Sequence, residues 1–440
     1  MSLRTFKGGV HPYDGKELSK SGSVQVFKPT GEMAYPLSQH IGAPAKAIVK
    51  KGDTVLRGQM IAEAGGFVSA PIFSSVSGTV KTLEKRRVPS GDLVDSIVIE
   101  NDGEFQEVPF TSTDDVSSLS REEIIQKIQN SGIVGMGGAG FPTHVKLSPK
   151  EPEKIDFIIA NCAECEPYLT SDYKRMMDFT QDFIAGMRIV LSLFPTAKGL
   201  FVVEDNKPDV IARLQDAVKN ETNMEVVPAK TKYPQGSERQ LIYAATKRAI
   251  NSTMLPADAG CIVDNVETLY AIYRAVAMGI PLMERIVTIT GDAVSAPGNF
   301  LTPCGTNFNE LLEASGGFKT TPKQLISGGP MMGFSMMSTD VPVTKTSSAL
   351  LCLGKDDVAE QETTACINCG RCVSVCPSRI VPSKLADFSE HWDLEQFEHW
   401  YGLECVECGS CSFICPAKRS LAQSIRVMKK TVLAEKRKNG

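Results

Sequence analysis

The chain of 440 residues has no apolar run approaching the ~18–20 residues of a membrane-spanning helix. Its N-terminus, MSLRTFKGG, lacks the apolar core of a secretory signal. The expectation is a cytoplasmic protein with no transmembrane span of its own, free to dock on a membrane complex. An excess of one charge is missing too. With 47 Lys and Arg against 51 Asp and Glu the net charge is −4, which gives no bulk attraction for nucleic acid. The stretch 426–440 is a local basic exception (Lys429, Lys430, Lys436, Arg437, Lys438), read as a frayed, solvated tail or a contact with an anionic membrane face or acidic partner. With no export signal, the 13 cysteines are not expected to form a disulfide scaffold, because the cytosol keeps thiols reduced.

What is present points elsewhere. The length suggests on the order of three domains at about 150 residues each, and 42% hydrophobic content supplies their cores. Eight cysteines fall in two identical runs, Cys366-x-x-Cys369-x-x-Cys372-x-x-x-Cys376-Pro377 and Cys405-x-x-Cys408-x-x-Cys411-x-x-x-Cys415-Pro416. Thiolates three apart wrap three corners of a cubane, and the fourth, sent off after a turn, reaches the other cluster. Cys366, Cys369, Cys372 and Cys415 are therefore expected on one 4Fe–4S cluster, and Cys405, Cys408, Cys411 and Cys376 on the other. Zinc also takes four thiolates, but zinc ribbons pair two C-x-x-C units instead of repeating a complete Cys-Pro-terminated run. Clusters exchange single electrons, so a flavin is the natural partner to look for. The remaining cysteines are scattered. Cys162 and Cys165 form a C-x-x-C that nothing in the sequence completes to four ligands.

Along the chain, within an N-terminal region 1–105, residues from about 30 to 100 read as short β segments between turns such as Lys51-Gly52-Asp53 and Pro89-Ser90-Gly91. Their pattern is similar to a biotinyl/lipoyl-type barrel-sandwich hybrid. The lysine that such carriers modify is absent, since the segment reads Ser74-Ser75-Val76-Ser77, so the module is structural. Ser120 and Glu123 form a capping box that opens a helix over Arg121–Asn130. Strands and helices then alternate over 118–282: strands at 155–160, 199–203 and 224–227, one long helix at 171–194, and helices at 207–220, 237–248 and Val266–Met278. Such alternation predicts a Rossmann-like parallel sheet covered by helices. Residues 283–340 return to β pieces, and 347–425 hold the cysteine runs, expected to be helical between them.

Gly135-Met136-Gly137-Gly138-Ala139-Gly140-Phe141-Pro142 contains a G-x-G-x-x-G, but it follows a helix and a short apolar piece and runs into proline. It is either a flexible turn or a backbone able to approach a phosphate or flat ring. After the strand at 155–160 comes Asn161-Cys162-Ala163-Glu164-Cys165-Glu166-Pro167, at the strand end where α/β proteins place ligands. Its carboxylates could accept ribose hydroxyls or simply be solvated.

In order, the glycine loop, Thr143-His144-Val145-Lys146, the acidic loop, Tyr233-x-x-Gly236-x-Glu238 and Val263-Asp264-Asn265-Val266-Glu267-Thr268 resemble the FMN- and NADH-binding flavoprotein subunit of respiratory complex I. The resemblance implies FMN contacts at Gly135, Gly137, Ala139, Lys146, Asn161, Glu164, Tyr233, Gly236, Asp264, Asn265 and Thr268. It implies nicotinamide-nucleotide contacts near Gly138, Phe141, Glu166 and Glu238. The chain departs from that pattern at Met136, where arginine is usual, at Ala163 for an aspartate, and at Ser237 for a glutamate. Thr5-Phe6-Lys7-Gly8-Gly9-Val10-His11-Pro12, Gln39-His40-Ile41-Gly42-Ala43-Pro44, Thr290-Gly291-Asp292 and Gly328-Gly329-Pro330-Met331-Met332-Gly333, with the paired cysteine runs, resemble the RnfC subunits of ion-translocating ferredoxin:NAD+ oxidoreductases. That family resemblance implies a multidomain α/β fold: barrel-sandwich hybrid, FMN/NADH domain, ubiquitin-like SLBB module and a helical domain with two 4Fe–4S clusters. It also implies hydride exchange with NAD(H) at FMN and electron transfer through the clusters. The partners it implies are membrane subunits, including a ferredoxin-like iron–sulfur subunit, coupled to Na+ or H+ translocation. A cobalamin reductase of bacterial microcompartments shares these loops, and an electron-transfer adaptor with a vestigial flavin site is the reading outside enzymology.

Overall fold

The computed structural model describes residues 3–356 and 360–439. Its centre is an all-parallel four-stranded sheet in the order Met224–Ala229, Lys198–Glu204, Phe157–Cys162, Cys261–Asn265. The middles of these strands are apolar because both faces are covered, and polar residues gather toward their ends. Successive side chains alternate. Ile158, Ala160, Phe201 and Val203 enter the larger core, while Ile159, Leu200 and Val202 enter the smaller one. Helices Thr180–Ser192 and Val266–Met278 cover the first face and Glu238–Thr246 the second. A Cβ on Gly186 would lie 1.9 Å from the Leu269 carbonyl oxygen, so only glycine lets the first two helices approach this closely.

The helix at Arg121–Asn130 has the expected capping box on Ser120 and Glu123. The long helix expected at 171–194 is instead two, Ser171–Asp178 and Thr180–Ser192, broken at Phe179 (φ −129°, ψ 37°). The break lets Ser171–Asp178 lean on the next sheet while Thr180–Ser192 stays on the parallel one, a tertiary demand that amphipathic periodicity does not carry.

Residues near the N-terminus form two small antiparallel sheets, one of Glu32–Pro36, Leu93–Asn101, Gly78–Arg87 and Thr54–Val55, the other of Lys46–Ala47, Met60–Glu63 and Ile72–Phe73. Met33, Tyr35, Ile61, Ile72, Ile97 and Ile99 fill the space between them. A long hairpin, Gly78–Arg87 with Leu93–Asn101, replaces two of the short pieces expected there. The third unit is a six-stranded mixed sheet around Glu284–Thr290 and Gly298–Pro303, packed on helix Phe308–Ala314. Two of its strands come from outside the segment 283–340. Val24–Val26 pairs in parallel with Gly298–Pro303, and Ala349–Leu353 with Glu284–Thr290.

The cysteine-rich part is helical between its runs, but the basic C-terminus is not a frayed tail. It belongs to one helix, Leu421–Asn439, whose Ile425, Met428 and Val432 are buried against Leu385 and Phe397. Lys345 ties three units together. Its buried Nζ donates to the carbonyls of Pro71 (2.6 Å) and Gly132 (2.7 Å), and burial lowers its pKa to about 7. Among the described residues no helix is long and apolar enough to cross a membrane.

Candidate functional site

A cleft of about 2260 Å³ opens at the C-terminal ends of the parallel strands, the position where open α/β sheets bind ligands. The residues implied by the complex I resemblance come from five separate stretches of chain, and all of them except Asp264 and Thr268 line it. The glycine loop forms one wall. Val134 and Pro142 bridge across its base, and Gly135 N donates to Phe141 O at 2.8 Å. A Cβ on Gly138 would meet nothing within 4 Å, so this backbone is open to an incoming group.

Asp264 and Thr268 stand behind that wall. Thr268 Oγ1 accepts from Met136 N at 2.9 Å and so fixes the loop. Asp264 is buried, and Lys146 Nζ donates both to its Oδ1 (3.0 Å) and to Val263 O (2.6 Å). Asp264 Oδ2 has no partner among the described residues, and burial pushes the carboxyl up. Asn265 caps helix Val266–Met278, and its Nδ2 donates to Asp172 Oδ2 at 2.7 Å.

The acidic loop is less free than its sequence suggests. Strand Phe157–Cys162 runs through Asn161, whose Nδ2 donates to Gly236 O at 2.8 Å. Glu164 turns inward, where it accepts Asp172 N at 2.7 Å and pairs with Lys16 at 3.5 Å. Glu166 Oε1 accepts Met331 N (2.7 Å) and Met332 N (3.1 Å), fastening the loop 328–333 over the cleft. Burial pushes Glu166 and Glu238 above the usual carboxylate range. Beneath the loop, Lys207 Nζ donates to Ala163 O at 2.6 Å. Lys16, Lys207 and Asp172 carry no local sequence signal, because their roles arise only where distant segments meet.

Cys165 links the cleft to the cysteine domain. It lines the cleft, accepts Gly236 N at 3.2 Å, and packs against the cluster of Val10, Tyr233 and Cys408. Burial drives both the Cys162 and Cys165 thiols upward, against thiolate character at either.

Beyond Cys408 a second, small cavity is lined by Cys376, Cys405, Cys408 and Cys411. This is the crossed set, three thiols of one run with the last of the other. Burial raises all four, Cys405 to about 12, and a bound metal would displace their protons. Glu407 N donates to Cys405 Sγ at 3.3 Å. Of the other set, Cys372 and Cys415 share an apolar cluster, while Cys366 and Cys369 are exposed. Thr364 N donates to Ala417 O at 3.0 Å, which draws the start of one run to the end of the other.

The donor chemistry fits the expected groups: four thiols lining one small cavity for a cluster, and a Cβ-free backbone with a cation and an orphan carboxylate oxygen for a flavin. Among the described residues no three such side chains stand close enough to hold a single metal ion, so a cluster that bridges the thiols is what the cavity would take. The class is thus an iron–sulfur flavoprotein of electron transfer.

Family models agree along the chain: an RnfC barrel-sandwich hybrid domain at 4–104, a Nuo51 FMN-binding domain at 128–274, an SLBB domain at 286–335 and a 4Fe-4S dicluster domain at 365–420. A subunit of the Na(+)-translocating ferredoxin:NAD(+) oxidoreductase complex of Acetobacterium woodii is 44% identical, covering 99% of this chain and 98% of its own. Its counterpart in the proton-translocating ferredoxin:NAD(+) oxidoreductase complex of Clostridium ljungdahlii is also 44% identical, over 97% and 94%. Among solved structures, an NAD+-reducing NiFe-hydrogenase in the H2-reduced state shares the fold at TM-score 0.51 and 18% identity, over 71% of this chain and 61% of that one. The chain belongs to the RnfC family.

Proposed function

We propose that the cleft takes FMN and NAD(H), and that electrons leave through the clusters in a fixed order. The cluster on Cys376, Cys405, Cys408 and Cys411 comes first, and the one on Cys366, Cys369, Cys372 and Cys415 second. The chain acts as the RnfC-type component of a ferredoxin:NAD(+) oxidoreductase complex, peripheral on the cytoplasmic face of the membrane. It passes electrons to and from a ferredoxin-like iron–sulfur subunit, in a complex coupled to Na+ or H+ translocation. The two relatives, equal in identity, are named for one ion each.

The observation that carries the reading is the packing of Cys165 and Tyr233, both lining the cleft, against Cys408. That contact supports the first cluster's place, and the exposure of Cys366 and Cys369 supports an outlet at the second. Bound FMN would supply the exchange between a hydride and single electrons. The residues do the rest. Gly138 leaves room for a ring, Gly137 lets Asn265 close against the loop, Lys146 offers a cation, and the loop held by Glu166 covers the cleft. No side chain is required as acid or base. The N-terminal barrel-sandwich hybrid supports this reading over a cobalamin reductase.

The test is anaerobic purification, flavin extraction and titration with NADH followed by visible and EPR spectra. Stoichiometric FMN with NADH-driven cluster reduction is expected. Loss of both would sink the reading and leave an electron-transfer adaptor with a vestigial flavin site, which the departures at Met136, Ala163 and Ser237 would then explain.

A further inference from the structure

Arg285, the second residue of strand Glu284–Thr290, is only 1% exposed and lines the cleft. Its Nη1 donates to the Lys345 carbonyl, but its Nε has no partner among the described residues. A buried guanidinium is costly unless an anion or several acceptors meet it. The neighbouring carboxylates are committed elsewhere. Glu284, on the other side of the strand, pairs with Arg57 and Arg274. Glu267 is held by Arg175, Glu164 by Lys16 and Asp264 by Lys146. Asp172, near enough to feel the guanidinium, is turned onto Asn265.

The surroundings are built for an anion. The hydroxyl-bearing residues Thr344, Thr346, Ser347 and Ser348 line the same cleft, and the Thr346 methyl lies so near Gly140 of the glycine loop that a Cβ there would meet it at 2.9 Å. The hydroxyls of Thr344, Thr346 and Ser347 hydrogen-bond to one another at 3.2–3.3 Å, which leaves each O–H free to turn toward an anion. That loop brings no cation of its own, because Met136 is buried in the apolar core.

We propose that Arg285, with the hydroxyls of 344–348 and the glycine-loop backbone, forms an anion subsite for a phosphate ester of the ligand in the cleft. Guanidinium suits phosphate because its planar fork can donate two parallel hydrogen bonds. The phosphate could be that of FMN or of the dinucleotide. This inference rests on the reading of the cleft as a flavin and nucleotide site.

The test uses the flavin-depleted full chain and measures binding of FMN and riboflavin by fluorescence quenching, and of ADP-ribose by calorimetry. If the flavin phosphate is the ligand, Arg285→Gln weakens FMN by about 10- to 100-fold and leaves riboflavin unchanged. If the dinucleotide phosphate is the ligand, ADP-ribose shows that loss and FMN does not. Arg285→Lys, which keeps the charge and loses the fork, should give a smaller loss on the same ligand, and it serves where the glutamine variant fails to fold. Melting temperature and cluster absorbance check both variants. Equal changes for FMN, riboflavin and ADP-ribose, or no change in any, would overturn the subsite. A wild-type chain that binds none of the three would overturn the reading of the cleft itself.

Discussion

Val10 and Tyr233 exchange both backbone hydrogen bonds, Val10 N to Tyr233 O at 2.8 Å and Tyr233 N to Val10 O at 2.9 Å. This two-residue bridge places the N-terminal segment between the cleft and the cysteine domain. Gly9 N donates onward to Val375 O at 2.7 Å, one residue before Cys376. The Gly8-Gly9 pair exists for this junction. Both have φ of +85°, and a Cβ would lie 2.8 Å from Val375 O at Gly8 and 2.7 Å from Tyr233 O at Gly9.

Gly9→Val should therefore part the junction. The left-handed backbone and the clash together should cost about 2–3 kcal/mol. The expected signature in the purified chain is a lower melting temperature with slower reduction of the Cys408 cluster by NADH, while FMN content stays normal. Unchanged reduction kinetics would separate the N-terminal segment from the electron route.

Crossed ligation makes opposite predictions for the two last cysteines. Cys376→Ala should damage the cluster of Cys405, Cys408 and Cys411, with which Cys376 shares a cavity. Cys415→Ala should damage the cluster of Cys366, Cys369 and Cys372. Iron content and EPR of the two variants decide. Loss of the cluster of the mutated residue's own run would contradict the crossing.

Glu267 lies in the Asp-Asn-Val-Glu-Thr segment, yet it is not among the residues that line the cleft. It is paired with Arg175 at 2.8 Å, both are essentially buried, and Arg175 stacks 3.7 Å from the Tyr270 ring centroid. Removing one partner of a buried pair typically costs ~3–5 kcal/mol. Glu267→Ala should lose stability on that scale in chemical denaturation, while the variant that still folds binds FMN with near-normal affinity.

Asp172 gives a pH dependence. Desolvation first, then the Glu164 and Glu267 carboxylates, push it up to about 7. A raised acid pKa means that the folded state holds the proton longer than the unfolded state. Its contribution is therefore full below the unfolded value near 4 and is lost as pH rises through about 7. The stability of the flavin-free chain relative to Asp172→Asn should fall by on the order of 1 kcal/mol per pH unit across that window. Melting curves of the two proteins from pH 5 to 8 measure it, and parallel curves would refute it.

The legible parts of this protein were those whose physics is local. Thiol spacing fixed the two cysteine runs, alternation of apolar residues placed the parallel strands, and Ser120 with Glu123 set a helix start. The site was legible as motifs, because a glycine loop and a strand-end Asn/Glu loop must use those residue types to leave backbone and carboxylates near a ligand. Their final roles were not. Glu164 and Asp264 look alike in sequence to free acceptors, but Lys16 and Lys146, 148 and 118 residues away, claim them. The helix at 171–194 reads as continuous because periodicity knows nothing of the sheet that breaks it at Phe179. Likewise the basic C-terminus reads as solvated until Ile425, Met428 and Val432 find a core. By itself, then, the sequence determined the cofactor chemistry and the order of its modules, since both follow from residue type and short-range spacing. Only the tertiary structure decided that Cys165 and Tyr233 join the cleft to Cys408 and that no carboxylate among the described residues forms an ion pair with Arg285. Those facts depend on which distant segments share one buried volume, and burial is where an unpaired charge or a thiol acquires its meaning.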